Sequence, residues 1–491
     1  GNDVNFLYCK ITDDNMNAKI LASALVVLFS AGASAQKNVF KFSGTVKDSD
    51  GKGIANVVVN NGVDFTSTDK NGKWALTTDT NVCKFVSIST PAGYVLPQQD
   101  GIAHGFYARV DKLVDGKGGD FVLEKRKDAS DKFYYISISD PQVRTDGDME
   151  RWRNETVEDL KPVIDSLKRT GEVIGLALGD IVFDNMGLYD DYVASVSNLG
   201  MTMFQCIGNH DFEKKYQDLH NMPLGSPVYG EMYYHRYFGP TDYSFNIGKA
   251  HFVILKDINY VGGKRYVEAL TGAQIDWLKK DLSYVPKGSL VILNMHAAGW
   301  NTIENDGNVR NSKELAEVLK GYNVHVFTGH THFLQNCVVN DNLYEHNIGA
   351  ACGAWWSGWV NRCGTPNGYM IVDVDGNDVK WRYKATRSNV GRQMTVYGKG
   401  DFRKQEDFVV ANVWDWDKDC KVEWTQDGKP MGKMEQFTGV DEKYVSGLKK
   451  GKEGTLTEHL FRARPTDGAK EVKIVFTNRF GDKFEETVKL N

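Results

Sequence analysis

The sequence predicts an α/β protein: a sandwich of two mixed β-sheets with helices outside, flanked by an N-terminal all-β sandwich and a C-terminal β-rich domain. Two observations favour this class. The middle of the chain alternates apolar strand-like runs with segments of helical periodicity, whereas both ends carry short alternating runs between turn signals. The length of 491 residues also allows about three domains. The predicted segments are a leader (1–35) and domains at 36–125, 126–386 and 387–491.

The leader has the features of an export signal. An apolar stretch, Ile20–Phe29, follows Met16 and Lys19, and small residues lead from it to Ala35. This order is typical of a signal peptide that is cut after an Ala-x-Ala site, here Ala35. The stretch is short for a membrane span. We therefore expect an exported protein, periplasmic or extracellular, that is soluble and has no transmembrane anchor after cleavage.

Charge and cysteine content limit the partners. The formal net charge is −5, and no basic stripe is visible, so no nucleic-acid-binding patch is expected. The oligomeric state stays open. The seven cysteines, of which Cys9 lies in the leader, are too few for a disulfide framework, and most are expected to be buried thiols. Cys352 and Cys363 flank a loop rich in glycine and tryptophan and are the best candidates for a disulfide.

The N-terminal domain is predicted from regular turn signals. Alternating runs such as Phe40–Val46 and Phe85–Ser89 are separated by the turn sequences Asp48–Gly51 and Asp69–Gly72. The stretch 44–74 resembles the carboxypeptidase regulatory-like β-sandwich, which usually acts as a structural unit. We therefore expect no chemistry in this domain.

The central domain is predicted from five buried strand-like runs and three amphipathic helices. The runs are Tyr134–Ser139, Val173–Leu178, Thr202–Ile207, Leu290–Met295 and Val324–Thr328, and the helices are Arg151–Arg169, Ala273–Leu282 and Ser312–Leu319. Further strands are expected at Tyr243–Asn246, His251–Asp257, Leu343–Asn347, Tyr369–Val374 and Val379–Tyr383. Beyond about Arg387 the aromatic runs Val422–Trp424 and Val472–Phe476 indicate the C-terminal β-rich domain.

Each of the five central runs is followed by residues that can bind a metal. They are Asp140-Pro141-Gln142, Gly179-Asp180, Gly208-Asn209-His210-Asp211, His296 and Gly329-His330-Thr331-His332. Loops at one end of a sheet converge on one crevice. Two divalent ions about 3.5–4 Å apart can share a hydroxide and hold both oxygens of a phosphoester. The sequence therefore predicts a dinuclear phosphoesterase that works by metal-bound hydroxide attack.

The ligands can be divided between the two ions. Asp180, after a strand and a glycine, suits the bridging carboxylate. One ion would be completed by Asp140, Gln142 and His332, and the other by Asn209, His296 and His330. Glycines at 179, 208 and 329 let the backbone turn sharply and approach the ions.

The order and spacing of these motifs resemble the calcineurin-like metallophosphoesterase superfamily. The resemblance covers about residues 133–385, and the motifs Gly208–Asp211 and Gly329–His332 are highly specific in this order. The flanking segments and residues 349–370 are similar to an exported bacterial subset with N- and C-terminal accessory β domains. The resemblance implies a metallophosphoesterase-type αββα sandwich and two divalent ions, which can be Mn, Fe, Zn or Mg.

Two positions depart from the superfamily pattern. Gln142 stands where a histidine is usual, and an amide ligates only through its carbonyl oxygen, so we expect a harder ion there, with Mn favoured. The alternative is that Gln142 only hydrogen-bonds to a ligand. Phe183 occupies the place of an aspartate that in the family orients the catalytic histidine, and Asp184 follows it.

His210 is the predicted catalytic residue. It follows the ligand Asn209, and the ligand set is complete without it. As imidazolium it can stabilise transition-state charge or protonate the leaving oxygen. Either Asp184 or Asp211 is expected to hold its other nitrogen.

The predicted substrate is a phosphoester, and its class stays open. Tryptophans at 300, 355, 356 and 359 either form aromatic walls beside the metals or are a packing seam against the C-terminal domain. Two other functions are kept as alternatives: a nucleotidase-type enzyme, and a non-catalytic surface-binding protein with a degenerate metal site.

Overall fold

The computed structural model describes residues 38–113, 115–128, 130–214, 230–262, 264–303, 307–449 and 452–490. The predicted signal peptide and Cys9 lie outside these residues. The helices and strands of the described part belong to one compact unit, Val39–Asn491. None of its described helices has the length and apolar character needed to cross a membrane.

The N-terminal region contains two small sheets. Its strands are β1 (Val39–Asp48), β2 (Val58–Asn60), β3 (Phe65–Ser67), β4 (Lys73–Asp79), β5 (Phe85–Ser89), β6 (Gln98–Gln99), β7 (Ile102–Ala103), β8 (Tyr107–Arg109) and β9 (Phe121–Leu123). The strand orders are β4-β1-β9 and β3-β2-β5-β8. In β4, Trp74, Leu76 and Thr78 are buried and the residues between them are exposed. This period of two residues is what a half-buried antiparallel strand requires.

The central region contains two mixed sheets. Its strands are β10 (Lys132–Ile138), β11 (Glu172–Ala177), β12 (Thr202–Gln205), β13 (Tyr243–Ile247), β14 (Ala250–Ile254), β15 (Ile258–Gly262), β16 (Arg265–Glu268), β17 (Leu290–Asn294), β18 (Asn323–Thr328), β19 (Gln335–Asn340), β20 (Leu343–Asn347), β21 (Gly368–Asp375) and β22 (Asp378–Ala385). One sheet has the order β22-β21-β10-β11-β12-β7-β6, the other β13-β14-β17-β18-β20-β19. Strands β10, β11 and β12 are parallel, as are β14, β17, β18 and β20. The predicted α/β class with two mixed sheets is confirmed.

Alternate residues of β10 face the two layers of this sandwich. Tyr135 packs between the sheets, with its ring 5.4 Å from that of Phe252 and 5.0 Å from that of Phe327. Its neighbour Ile136 belongs to a second hydrophobic core, which also contains Leu160 from a helix of the central region. A strand buried on both faces reads as a continuous apolar run, and this is why the run was recognisable in the sequence.

The helices of the central region are α1 (Asp146–Arg151), α2 (Glu158–Leu167), α3 (Tyr189–Val196), α4 (Met232–Phe238), α5 (Gly272–Leu282) and α6 (Ser312–Val318). The predicted helix over 151–169 is present to Leu167 but begins earlier, at Asp146, and a π-helical turn, Trp152–Val157, lies within it between α1 and α2. Pro162, inside α2, removes a backbone donor close to this junction. The wide turn buries Trp152, whose indole nitrogen donates to Ser195 Oγ at 2.8 Å.

The C-terminal region is a pair of four-stranded sheets. Its elements are β23 (Met394–Tyr397), β24 (Val409–Val413), β25 (Lys421–Gln426), β26 (Lys429–Lys433), β27 (Glu435–Val440), α7 (Glu442–Ser446), β28 (Leu456–Ala463), β29 (Glu471–Thr477) and β30 (Lys483–Lys489). The strand orders are β23-β24-β28-β27 and β26-β25-β29-β30. It contacts the central region through buried hydrogen bonds, among them Tyr344 Oη to Asp417 Oδ2 at 2.8 Å.

The N-terminal region also extends a central sheet, because Ile102 in β7 pairs in parallel with Met203 in β12. The limits of the three predicted domains stay predictions.

Candidate metal centre

The polar motifs lie in loops at the carboxyl ends of β10, β11, β12, β17 and β18. Within these loops six predicted site residues have a left-handed backbone: Asp140, Gln142, Asp180, Asp184, His330 and His332, with φ between 43° and 68°. This conformation is unfavourable for residues other than glycine, and such strain concentrates at functional sites.

Two of the predicted glycines are required because other atoms of the site occupy the space of a side chain. A Cβ on Gly208 would lie 2.2 Å from Asp180 Oδ1. A Cβ on Gly329 would lie 2.6 Å from Asp140 Oδ2. The close approach predicted for these glycines is present.

Asp140 and His332 face each other on one side of the centre. Asp140 is fully buried, and its Oδ1 has no hydrogen-bond partner among the described residues. That oxygen lies 3.5 Å from His332 Nε2. His332 Nδ1 lies 2.5 Å from the Gly353 carbonyl oxygen, to which it donates in the neutral ring. Nε2 then carries a lone pair, so two acceptors point at each other, as metal ligands do.

The second cluster is built around His296, which is fully buried. Its Nδ1 lies 2.7 Å from the Leu178 carbonyl oxygen, which makes Nε2 the lone-pair nitrogen of the neutral ring. That nitrogen lies 3.1 Å from Asn209 Oδ1 and 3.0 Å from His330 Nδ1. Asp180 Oδ1 lies 3.4 Å from it. Asp180, His296 and His330 each place a ligand atom within 4.8 Å of the others.

The charges of this cluster are suited to a cation. Burial alone would raise the pKa of the Asp180 carboxyl, but the charges of His296 and His210 hold that pKa well below its ordinary value. Burial would lower the pKa of His296, whereas Asp180 and neighbouring carboxylates raise it to about 10. The carboxylates therefore favour positive charge beside Asp180. A divalent cation would supply that charge and would bind the lone pairs of His296 and His330.

Gln142 contacts the centre through its amide. Nε2 donates to Asp180 Oδ2 at 2.8 Å, and Oε1 accepts from the Cys352 thiol at 3.7 Å. In this orientation Gln142 hydrogen-bonds to a predicted ligand. A half-turn of the amide would present the carbonyl oxygen, the one amide atom that can ligate a metal. The ligand role of Gln142 stays a prediction.

His210 lies beside the cluster and is held on two sides. Its Nδ1 lies 2.9 Å from Asp184 Oδ1, and its ring stacks on Phe183 with a centroid separation of 3.8 Å. Lys214 also donates to Asp184. Burial would raise the pKa of Asp184, but the hydrogen bonds from His210 and Lys214 lower it. Of the two neighbouring residues, Phe183 thus contacts the His210 ring by stacking and Asp184 accepts its hydrogen bond.

Asp211 is the other predicted partner of His210, but its carboxylate accepts hydrogen bonds from other groups. It is fully buried and accepts hydrogen bonds from the backbone nitrogens of Gly208 at 2.9 Å and Ile181 at 3.0 Å. Tyr189 Oη also donates to it at 3.1 Å. Burial and the charge of Asp180 raise the pKa of Asp211 to about 7. These contacts join the loop that follows β11 to the loop that follows β12.

The predicted disulfide is not formed. Cys352 and Cys363 are both free and buried. Cys352 Sγ lies 3.5 Å from His332 Nδ1, inside the site, whereas Cys363 Sγ contacts Leu334 N and Thr365 Oγ1, both at 3.3 Å. Proximity in the sequence was a poor guide here, because the intervening loop folds the two thiols into different environments.

The tryptophans of this loop have different surroundings. Trp356 is buried, and its indole nitrogen donates to the Pro141 carbonyl at 2.9 Å. Trp355 and Trp359 are 49% and 56% exposed, so they do not pack as a seam. The loop instead reaches the C-terminal region at Cys363, whose carbonyl oxygen accepts from Asn412 Nδ2 at 2.8 Å.

Two residues near His330 were not predicted. Glu268 Oε1 lies 3.7 Å from His330 Nε2, and the Tyr266 ring lies edge-on to His330 at 6.0 Å. Both belong to β16, a hairpin strand outside the five motif-bearing loops. No local sequence signal distinguishes them from other hairpin residues.

Sequence models of one family match three parts of the chain. Calcineurin-like phosphoesterase matches residues 136–334, N terminal of Calcineurin-like phosphoesterase matches 40–126, and C terminal of Calcineurin-like phosphoesterase matches 345–484. No curated protein matches the chain.

Similar solved structures include a dimetal phosphatase from Danio rerio, with 14% identity, 52% of this chain and 99% of that chain covered, and a TM-score of 0.33. A 5′-nucleotidase from Candida albicans has 11% identity, 51% and 50% coverage, and a TM-score of 0.32. At these scores neither likeness adds an argument about function. The three family matches together span most of the sequence: the chain belongs to the calcineurin-like phosphoesterase family and is a metal-dependent phosphoesterase.

Proposed function

We propose that this phosphoesterase hydrolyses phosphomonoesters or phosphodiesters with two divalent cations and one catalytic histidine. The proposed metal ligands are Asp140, Gln142, Asp180, Asn209, His296, His330 and His332. One observation carries the proposal: the buried Asp140 Oδ1 has no hydrogen-bond partner among the described residues and faces His332 Nε2 at 3.5 Å. Leaving a buried carboxylate oxygen unpaired is costly, and a bound cation would remove that cost.

The bound ions would supply Lewis-acid polarisation of the phosphoester and activation of water. Mn²⁺ is the proposed ion on the Gln142 side, because an amide oxygen is a hard ligand. For the second ion the proposed candidates are Mn, Fe, Zn and Mg.

His210 is the proposed proton donor to the leaving oxygen. Asp184, 2.9 Å from Nδ1, accepts the hydrogen bond from that nitrogen and so leaves Nε2 to carry the transferred proton. Phe183 limits rotation of the imidazole by stacking on it at 3.8 Å. Asp211 is proposed to position the backbone of the metal loops, since its carboxylate accepts from Gly208 and Ile181.

We also propose that the protein is exported and that its leader ends at Ala35. The order of basic, apolar and small residues in the leader supports this. The proposed domain limits remain 36–125, 126–386 and 387–491.

Metal analysis and hydrolysis assays test the catalytic proposal. We expect bound divalent metal in purified protein and turnover of p-nitrophenyl phosphate or its bis ester when Mn²⁺ is added. His210→Ala should lower kcat by about 10²–10⁴-fold, the range for loss of a general acid or base. His104→Ala, which removes an exposed histidine of the N-terminal region, is the matched control and should keep wild-type turnover. Absence of turnover with every metal, or equal activity in His210→Ala and wild type, would contradict the proposal.

A further inference from the structure

Trp355 stands at the surface beside the metal centre. Its ring stacks on His332 with a centroid separation of 4.6 Å and an interplanar angle of 25°. The residue is nevertheless 49% exposed. Stacking uses one face of the indole, so much of the remaining ring surface is open to solvent. A large apolar ring that borders a ligand pocket is a ready contact for a bound molecule.

The backbone holds Trp355 in this outward position. Trp355 and Trp356 both have left-handed φ values, 55° and 57°, which bulky residues rarely adopt. The buried Trp356 anchors the turn: its indole nitrogen donates to the Pro141 carbonyl at 2.9 Å, and the Arg151 guanidinium lies over its ring at 5.1 Å. The contacts of the buried Trp356 thus fix the turn that places Trp355 at the surface beside the site.

Trp359 differs from Trp355 although both are exposed to a similar degree. The guanidinium groups of Arg151 and Arg387 lie 4.7 Å and 5.0 Å from the centre of its ring. Its ring thus contacts two cationic side chains of the protein. Among the ring contacts of the described residues, none joins Trp359 to a proposed metal ligand. Trp359 therefore serves as a comparison for Trp355.

We propose that Trp355 is a specificity-determining residue that stacks on a flat aromatic ring in the leaving group of the phosphoester. The inference rests on the proposed function, in which Asp140 and His332 hold one ion: a phosphoester bound to that ion is expected to lie close to Trp355, whose ring centre is 4.6 Å from that of His332. Offset stacking between aromatic rings requires a planar partner, whereas simple apolar contact does not. The substrate class is therefore an aryl or heteroaryl phosphoester rather than an alkyl one.

The test compares two esters of similar size, phenyl phosphate and cyclohexyl phosphate, in the metal-loaded full chain. The measured quantity is the ratio of their kcat/KM values, because a general loss of metal or activity cancels in that ratio. Trp355→Leu keeps an apolar side chain on His332 and removes the flat ring, whereas Trp355→Phe keeps a ring. We expect Trp355→Leu to lower the phenyl-to-cyclohexyl ratio by about 3- to 10-fold, the range for one aromatic pair.

Trp355→Phe should stay within about 2-fold of the wild-type ratio, and Trp359→Leu should leave it unchanged. An unchanged ratio in Trp355→Leu would overturn this inference alone, whether or not overall activity falls. An equal decrease in Trp359→Leu would overturn it too, because a ring beside no proposed ligand would then have the same effect. Wild-type protein that hydrolyses neither ester in any metal would overturn the proposed function and this inference with it.

Discussion

Asp184 and Asp211 are the two predicted partners of His210, and replacing each by asparagine should have a different effect. Asp184→Asn leaves an amide oxygen that can accept from His210 Nδ1, now 2.9 Å from the carboxylate, but removes the negative charge. A hydrogen bond to a charged group contributes about 1 kcal/mol more than a neutral one. The Asp184 side chain is 41% exposed, so solvent screening should keep the energy difference between the charged and the neutral hydrogen bond from exceeding this value. The expected effect is a decrease in kcat of about 5-fold.

Asp211→Asn should instead affect folding. Both carboxylate oxygens of this fully buried residue accept hydrogen bonds, from Gly208 N at 2.9 Å on Oδ2 and from Ile181 N at 3.0 Å on Oδ1. An asparagine must point its NH₂ group at one of these donors, which leaves buried donors unpaired at a cost of about 1–3 kcal/mol. We expect a lower free energy of unfolding and a smaller change in kcat for the folded enzyme than in Asp184→Asn.

Urea unfolding and steady-state hydrolysis of p-nitrophenyl phosphate, measured on both variants with their metal content, separate the two roles. The reasoning is refuted if Asp211→Asn lowers kcat at unchanged stability while Asp184→Asn retains full kcat. That result would make Asp211 the partner of His210.

Two further predictions concern Gln142 and Glu231. Gln142→Ala should reduce the bound metal, whereas Gln142→His should retain turnover and bind metal more tightly or with altered preference, both measured by metal analysis; unchanged metal in Gln142→Ala would show that Gln142 is not a ligand. Burial would raise the pKa of Glu231, but Lys256 and His235 lower it to about 2. A depressed acid pKa stabilises the fold above the ordinary value of 4.5, and this stabilisation is lost as the pH falls towards 2. Glu231→Gln removes the carboxylate that pairs with the Lys256 ammonium and should cost about 3 kcal/mol of unfolding free energy at pH 7. Urea unfolding should show that deficit shrinking below pH 4.5, and a deficit independent of pH would contradict the assignment.

Much of the central fold was predictable because its signals are local. The run Val173–Leu178 contains no polar side chain, as expected for a strand buried on both faces, and the observed strand is Glu172–Ala177. The helix Gly272–Leu282 begins at a capping box formed by Thr271 and Gln274, close to its predicted start. The π-helical turn at Trp152–Val157 was not predicted, because such a turn depends on packing against distant residues, here Ser195.

The sequence by itself determined the family, the order along the chain of the strands that carry polar loops, and the set of residues brought to one edge of the sheets. These features follow from periodicity and from motifs a few residues long, so residues that are close together in the sequence are enough to predict them. The tertiary structure decided which carboxylate reaches His210, where the Gln142 amide points, that Cys352 and Cys363 stay apart, and that Trp355 is exposed while Trp356 is buried. Such contacts join side chains far apart in the chain, and their distances depend on how loops pack across two sheets.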